Sequence, residues 1–153
     1  MNGRILAVDP GDKRIGVAVS DPTGTIARPL RVIAHSARMV DAAQIAALAA
    51  DEEAVGIVVG QAMDDEGLPS PEGRKAARLA EAIRSQTNLP VSLWDESFST
   101  QTARQTRIAM GVTRRKRSGH LDDLAAAVIL QSYLDANQTG DLNSLAGSKD
   151  EAF

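Results

Sequence analysis

Cysteine is missing altogether from the 153 residues, which removes disulfides, Cys-ligated zinc, iron–sulfur clusters and thiol nucleophiles together. Histidine occurs only at His35 and His120, too few for a histidine-built metal site. A metal here would have to be held by oxygen, which points to Mg²⁺ or Mn²⁺. No apolar run approaches the ~18 residues of a membrane span, and Met1–Asp9 lacks the pattern of a signal peptide. These absences predict a cytoplasmic protein with no membrane partner. Aromatic residues are scarce at 3%, but 43% of the chain is hydrophobic and 24% charged, enough for one soluble domain with its own core. The net charge of −3, taken as a total, argues against a nucleic-acid partner.

Along the chain, Arg4–Asp9 and Arg14–Ser20 are short apolar runs separated by the turn signal Pro10-Gly11-Asp12-Lys13, which predicts a β-hairpin. Thr25–Ala34 reads as a third strand, and Pro29 places it at an edge, where a missing ladder donor costs little. Met39–Ala50 is expected to be helical, with Val40, Ala43, Ala47 and Ala50 recurring on one stripe. Ala54–Gly60 is apolar on both faces, as in a buried parallel strand. Glu72–Ser85 predicts a helix started by Ser70-Pro71, with Ala76, Leu79, Ala80 and Ile83 on one stripe. A strand over Leu89–Asp95, a helix from Ser99 or Thr100 to about Met110, and a helix over Leu121–Leu134 follow. Beyond Ala136 the polar composition predicts a loose tail over 137–153, leaving a single domain over 1–136. Three meander strands followed by αβ units make an α/β fold: a mixed sheet with helices on both faces.

Three acids stand where an apolar element ends or begins. Asp9 closes the first strand, Glu96 follows the Leu89–Asp95 strand, and Asp122 opens the last helix. Adjacent strand ends lie only ~5 Å apart, so such acids can converge at one sheet edge. Converging carboxylates repel unless a hard divalent cation sits between them. Two such ions ~4 Å apart polarise a phosphodiester, activate a water and stabilise the leaving oxygen, with no thiol or histidine required. Each acid also has a structural reading: Asp9 as a cap of the Pro10-Gly11 turn, Asp95 and Glu96 as helix caps, Asp122 and Asp123 as partners of a helix dipole.

The runs Ile5–Asp21 (ILAVDPGDKRIGVAVSD), Leu93–Thr100 (LWDESFST) and Leu121–Leu134 (LDDLAAAVILQSYL) resemble the YqgF family. These are RuvC-like proteins of the ribonuclease H superfamily, described as Holliday junction resolvases and pre-16S rRNA nucleases. The likeness runs in the family's order to about Asp135. It implies a ribonuclease H-like fold with a five-stranded sheet in the order 3-2-1-4-5, three antiparallel strands followed by two parallel ones. It also implies a metal-dependent nuclease whose catalytic acids fall on Asp9, Glu96 and Asp122, with Asp123 a neighbour or stand-in. The pattern is broken twice. Gly60-Gln61-Ala62 stands where the family has a Gly-Leu-Pro turn, and Asp95-Glu96-Ser97 where it has Asp-Glu-Arg. The second change removes a guanidinium suited to clamp phosphate.

The bases are unevenly placed. Gln101–His120 holds Arg104, Arg107, Arg114, Arg115, Lys116 and Arg117 and no acid, so this stretch carries +6 and the remainder −9. It joins the motifs bearing Glu96 and Asp122 and is a candidate strand-binding segment, with a solvated charged face as the structural alternative. Lys13 and Arg14 stand beside the turn after Asp9, either as phosphate contacts or as hairpin charge. Gly11 and Gly16 would let a backbone approach closely, or serve the turn and strand packing alone. Ser99 and Thr100 read first as caps, and His120 as an exposed residue at a helix start.

The leading expectation is a Mg²⁺- or Mn²⁺-dependent endonuclease of structured RNA in ribosome biogenesis, as monomer or homodimer. Its alternatives are a resolvase of branched DNA and a catalytically inactive nucleic-acid-binding module. An actin-like or sugar-kinase-like ATPase shares a phosphate-cupping hairpin, but it needs two such domains, which this length does not supply.

Overall fold

Alternation decides which way each strand faces. In this computed structural model residues 3–99 and 121–147 are described, with side chains covered over 3–97 and 123–137. Strands β1 (Arg4–Pro10) and β2 (Arg14–Ser20) form the expected hairpin, with Leu6 opposite Val19 and Asp9 opposite Gly16. Gly11 closes it: its N–H donates to the Arg14 carbonyl at 3.0 Å, and a Cβ at Gly11 would lie 2.5 Å from that oxygen. β3 (Ala27–Ala34) begins two residues later than expected and pairs antiparallel with β2. It is an edge strand, and its register slips where Ala18 meets Pro29. β4 (Ala54–Gln61) and β5 (Val91–Asp95) add in parallel, giving one five-stranded sheet in the order β3-β2-β1-β4-β5.

The two sheet faces bury different side chains. Leu6, Val8, Ile15, Val17, Ile57 and Val59 join one core with helices α1 (Arg38–Asp51) and α2 (Pro71–Arg84). Ile5, Ala7, Ala18 and Val58 point the other way, against Ala126, Ala127, Leu130 and Leu134 of α3 (Leu121–Gly147). Each fully buried Leu, Ile or Val is worth ~1.5–3 kcal/mol relative to exposure, so these two layers hold the sheet between its helices.

The helix starts follow the expected chemistry, with one difference of face. Ser70 caps α2, its Oγ accepting from the Gly73 N–H at 3.1 Å, and Pro71 occupies the first turn, where its missing N–H costs nothing. Ala76, Leu79, Ala80 and Ile83 are buried as the periodicity requires. α1 forms as the spacing of Val40, Ala43, Ala47 and Ala50 predicts, but those residues face out, Val40 being 48% exposed, while Ala42, Ile45, Leu48 and Ala49 are buried. Alanine buries little area on either side, so Ile45 and Leu48 orient the helix. α3 runs to Gly147; no proline interrupts the stretch, and one interior glycine, Gly140, costs only ~1 kcal/mol. The expected helix from Ser99 or Thr100 to Met110 falls mostly outside the described residues, which show a 3-10 turn over Glu96–Ser99 before it.

Candidate active site

The parity that sorts the core also sorts the acids. Asp9 shares the parity of Ile5 and Ala7, and therefore emerges on the α3 face at the carboxyl end of β1. Its cross-strand partner Gly16 has the parity of Ala18 and lies on that face too. On the other side, Val8 pairs with Val59, so Gly60 stands beside Asp9 at the next step of β4. Asp9 is thus flanked across both neighbouring strands by residues without side chains, which leaves space around its carboxylate.

Glu96 reaches the same space from β5. Trp94 pairs with Gly60, and Glu96, two residues on, lies just past the strand end on the same face. Its side chain leans across the glycine: a Cβ at Gly60 would stand 3.3 Å from Glu96 Cγ and 2.8 Å from Ile129 Cδ1 of α3. Asp95 is occupied differently. Its Oδ1 accepts from the Ser97 N–H at 2.9 Å and the Ser97 hydroxyl at 2.8 Å, an Asx-type cap on the 3-10 turn. Ser97, in the place of the family's arginine, therefore carries a local structural bond.

Helix α3 closes this face. Its Ile129 reaches Gly60, and its Leu130 and Leu134 pack on Ile5 and Ala7, farther from the strand ends. Trp94 Nε1–H donates to Ser132 Oγ at 3.1 Å, and the Trp94 ring meets Tyr133 edge-on at 5.4 Å. The first turn of α3, with Asp122 and Asp123, thus precedes the segment that covers Gly60. The Asp122 side chain lies outside the described residues; Asp123 is half-buried. Among the described residues no three acids or histidines gather closely enough to hold a cation.

The electrostatics suit a cation. Burial pushes the Glu96 carboxyl above its ordinary value, and the neighbouring charge of Asp95 pushes it further. A carboxyl whose ionised form is disfavoured in this way gains when a positive ion arrives. The donors at hand are carboxylate oxygens, the set that Mg²⁺ and Mn²⁺ prefer. These residues therefore fit a hard divalent ion.

Of the expected nucleic-acid contacts, Arg14 has the parity of Gly16 and Ala18 and is exposed at the edge of the Asp9 face. Lys13 is exposed in the hairpin turn, where its carbonyl accepts from the His35 N–H at 3.0 Å. Thr100, Arg104, Arg107, Arg114, Arg115, Lys116, Arg117 and His120 lie outside the described residues.

Two features escaped the sequence reading. Gln61 and Ala62 anchor α2: Gln61 Nε2–H donates to the Gly73 carbonyl at 3.1 Å, and the Ala62 carbonyl accepts from the Ser70 N–H at 3.0 Å. A buried aspartate, Asp41, bonds to His35 Nδ1 and accepts from the Ser36 N–H at 3.1 Å. Asp41 reads in sequence as one more acid in a first helical turn, and only packing reveals its burial.

Comparison with known proteins agrees with this geometry. A family model described as "RuvX: Holliday junction resolvase" matches residues 3–136. A Clostridioides difficile protein named "Putative pre-16S rRNA nuclease" is 36% identical over 135 residues, covering 88% of this chain and 96% of its own. A Thermoanaerobacter pseudethanolicus protein of the same name is 38% identical over 136 residues, covering 88% of this chain and 98% of its own. Among solved structures, T. thermophilus RuvC in complex with Holliday junction substrate superposes with a TM-score of 0.65 at 16% identity, covering 91% of this chain and 97% of that one. With a ribonuclease H-like sheet, acids at its open edge and relatives matched along nearly their whole length, the chain belongs to the RuvX family of nucleases.

Proposed function

We propose that this protein is a Mg²⁺- or Mn²⁺-dependent endonuclease that hydrolyses phosphodiester bonds in structured RNA, acting in 5′-end maturation of pre-16S rRNA. The observation that carries the reading is the placement of Asp9 beside Gly60 by strand register and of the Glu96 side chain over that glycine, on the face covered by α3. Asp9, Glu96 and Asp122 are the catalytic and metal-holding acids, with Asp123 able to stand in. A divalent ion held there supplies Lewis-acid polarisation of the phosphodiester and an activated water. The chain's own contribution is placement. The sheet fixes Asp9, the Asp95–Ser97 cap fixes the turn that presents Glu96, and Gly16 and Gly60 leave room for the phosphate. Lys13, Arg14 and the segment bearing Arg104, Arg107, Arg114, Arg115, Lys116 and Arg117 bind the strand through phosphate charge, and Gly11 keeps the turn beside Asp9 tight. The names of these relatives support RNA as the substrate.

Cleavage of branched DNA is the second reading, favoured by the family description and by the RuvC neighbour bound to a Holliday junction. It requires two symmetric cuts and hence a homodimer, whereas RNA trimming needs only a monomer. The deciding experiment compares a pre-16S rRNA leader with a four-way DNA junction, in Mg²⁺, Mn²⁺ and EDTA, with solution mass measured alongside. Metal-dependent RNA cleavage, lost in Asp9→Asn while binding survives, is the expected result. Junction cleavage by a dimer in preference to RNA would establish the second reading. Full activity in EDTA or in Asp9→Asn would remove the metal-acid mechanism altogether.

A further inference from the structure

On the sheet face opposite α3, the hairpin turn after Asp9 forms one wall of a cavity of about 290 Å³. Its floor is apolar, from Pro10, Ile15 and Leu79, and its rim carries His35 from the connection after β3, Arg38 from α1, and Lys75 and Arg78 from α2. The size is at the small end for ligand sites, which begin at roughly 300 Å³, and suits one nucleotide unit better than a longer segment.

The charges at this rim do not cancel. Asp12 is met by Lys75 at 3.6 Å, an exposed pair of small worth. Asp41, buried beneath the rim, is met by His35 Nδ1 and by the Ser36 N–H, so its carboxylate is satisfied from within. The same bond orients the imidazole and leaves Nε2 as the ring atom available to a ligand. Arg38 and Arg78 have no ion pair among the described residues, and both also line the shallow groove that continues between α1 and α2 past Met39. Two uncommitted guanidinium groups over an apolar floor are suited to a phosphate carrying a base or sugar. Pro10 and Gly11 lie one and two residues beyond Asp9, so an occupant of the cavity sits beside the proposed cleavage site but around the strand end from it.

We propose that this cavity seats a backbone phosphate and its nucleoside from the substrate strand flanking the scissile bond, with Arg38 and Arg78 as the phosphate contacts and His35, held by Asp41, as a further polar contact. This rests on the proposed nuclease function and adds a substrate subsite distinct from the acidic edge.

The test measures RNA binding against salt for the wild type, for Arg38→Ala/Arg78→Ala, and for Arg28→Ala/Arg31→Ala, which removes the same charge from β3 outside the cavity. Each released phosphate contact changes the salt slope by roughly 0.7 for a single strand. The cavity variant is therefore expected to bind about tenfold or more weakly, with a slope shallower by roughly one to two contacts. The β3 variant should resemble the wild type in affinity, slope and turnover. Equal weakening in both variants would reduce the effect to net charge and overturn the proposal, as would an unchanged affinity and slope in the cavity variant. A 5′-nucleoside monophosphate is the second probe. Its binding to wild type and loss in the cavity variant, with RNA affinity unchanged, would make the cavity a free-nucleotide site and overturn the strand assignment. A wild type that neither binds nor cuts RNA would defeat the nuclease reading itself, a different outcome from failure of the cavity variant alone.

Discussion

Glu96 sits where its own charge is unwelcome. Its folded-state pKa is raised, first by burial and then by Asp95, so without metal the folded protein holds its proton to higher pH than the unfolded chain. The stability tied to this group is full below the unfolded pKa of roughly 4.3 and is lost as pH rises through the folded value. Glu96→Gln should therefore melt close to wild type in acid and above it near neutral pH, both in EDTA. Added Mg²⁺ or Mn²⁺ should raise the melting temperature of wild type more than that of the variant. Thermal melts at two pH values with and without metal check both points, and a variant less stable than wild type in EDTA near neutrality would contradict them. The same substitution, like Asp9→Asn, should reduce cleavage by at least about a hundredfold, since loss of even an outer partner of a metal ligand costs roughly 10- to 100-fold.

Asp21 shows the opposite shift. Its carboxylate accepts from the N–H groups of Thr25 and Ile26, both at 2.8 Å, and from the Thr23 N–H and hydroxyl. These bonds hold its pKa well below the ordinary carboxylate range, the Ile26 bond contributing most. The associated stability is present above the unfolded value of roughly 3.9 and is lost as pH falls below it. Asp21→Ala should lower the melting temperature at neutral pH and flatten its fall with acid, without touching the acids of the active edge. The motif that ends in Asp21 thus mixes a proposed site residue, Asp9, with a turn clamp, and residue type alone does not distinguish them.

At the scale of elements, glycines set the distances. Gly73 lies where α2 meets the end of β4, and a Cβ there would stand 2.1 Å from the Ala62 carbonyl oxygen, a backbone atom that cannot yield alone. Gly73→Ala is expected to cost ~3 kcal/mol, at the upper end for overpacking, measured by denaturant unfolding. Gln61→Ala removes a buried bond to the same turn and should cost ~1–3 kcal/mol. Gly60→Ala separates site from fold. Its Cβ would press on the end of Ile129, which can shift, and on the Glu96 side chain. Cleavage should fall far more than stability. Equal activity with a displaced melting curve would place Gly60 in packing only. The edge position of β3 was legible from Pro29, and the α2 stripe from Leu79 and Ile83. The face of α1 was not, because its alanines recur at helical spacing on the exposed side.

For the molecule as a whole, net charge is a poor guide to partners. The +6 of Gln101–His120 and the cationic rim of Arg38, Lys75 and Arg78 coexist with a total of −3. Binding of RNA should weaken steeply with salt, with a log–log slope of roughly −0.7 per phosphate contact, and should strengthen when divalent metal offsets the acidic edge. Fluorescence anisotropy across salt concentrations, with metal or EDTA, measures both; a salt-independent affinity would exclude phosphate contacts as its source.

The order of local patterns determined much of this protein: two apolar runs around a Pro-Gly turn, a proline-bearing edge strand, and two αβ units already imply the mixed sheet. Strand period and strand ends also made Asp9 and Glu96 visible as candidates, because an acid terminating a buried strand is conspicuous in one dimension. The tertiary structure decided what depends on contacts between distant segments. It placed Gly16 and Gly60 on either side of Asp9, committed Asp95 to Ser97 while Glu96 leaned over the sheet, and buried Asp41 beneath His35. Each follows from strand register and helix packing, which bring together residues that no local periodicity relates.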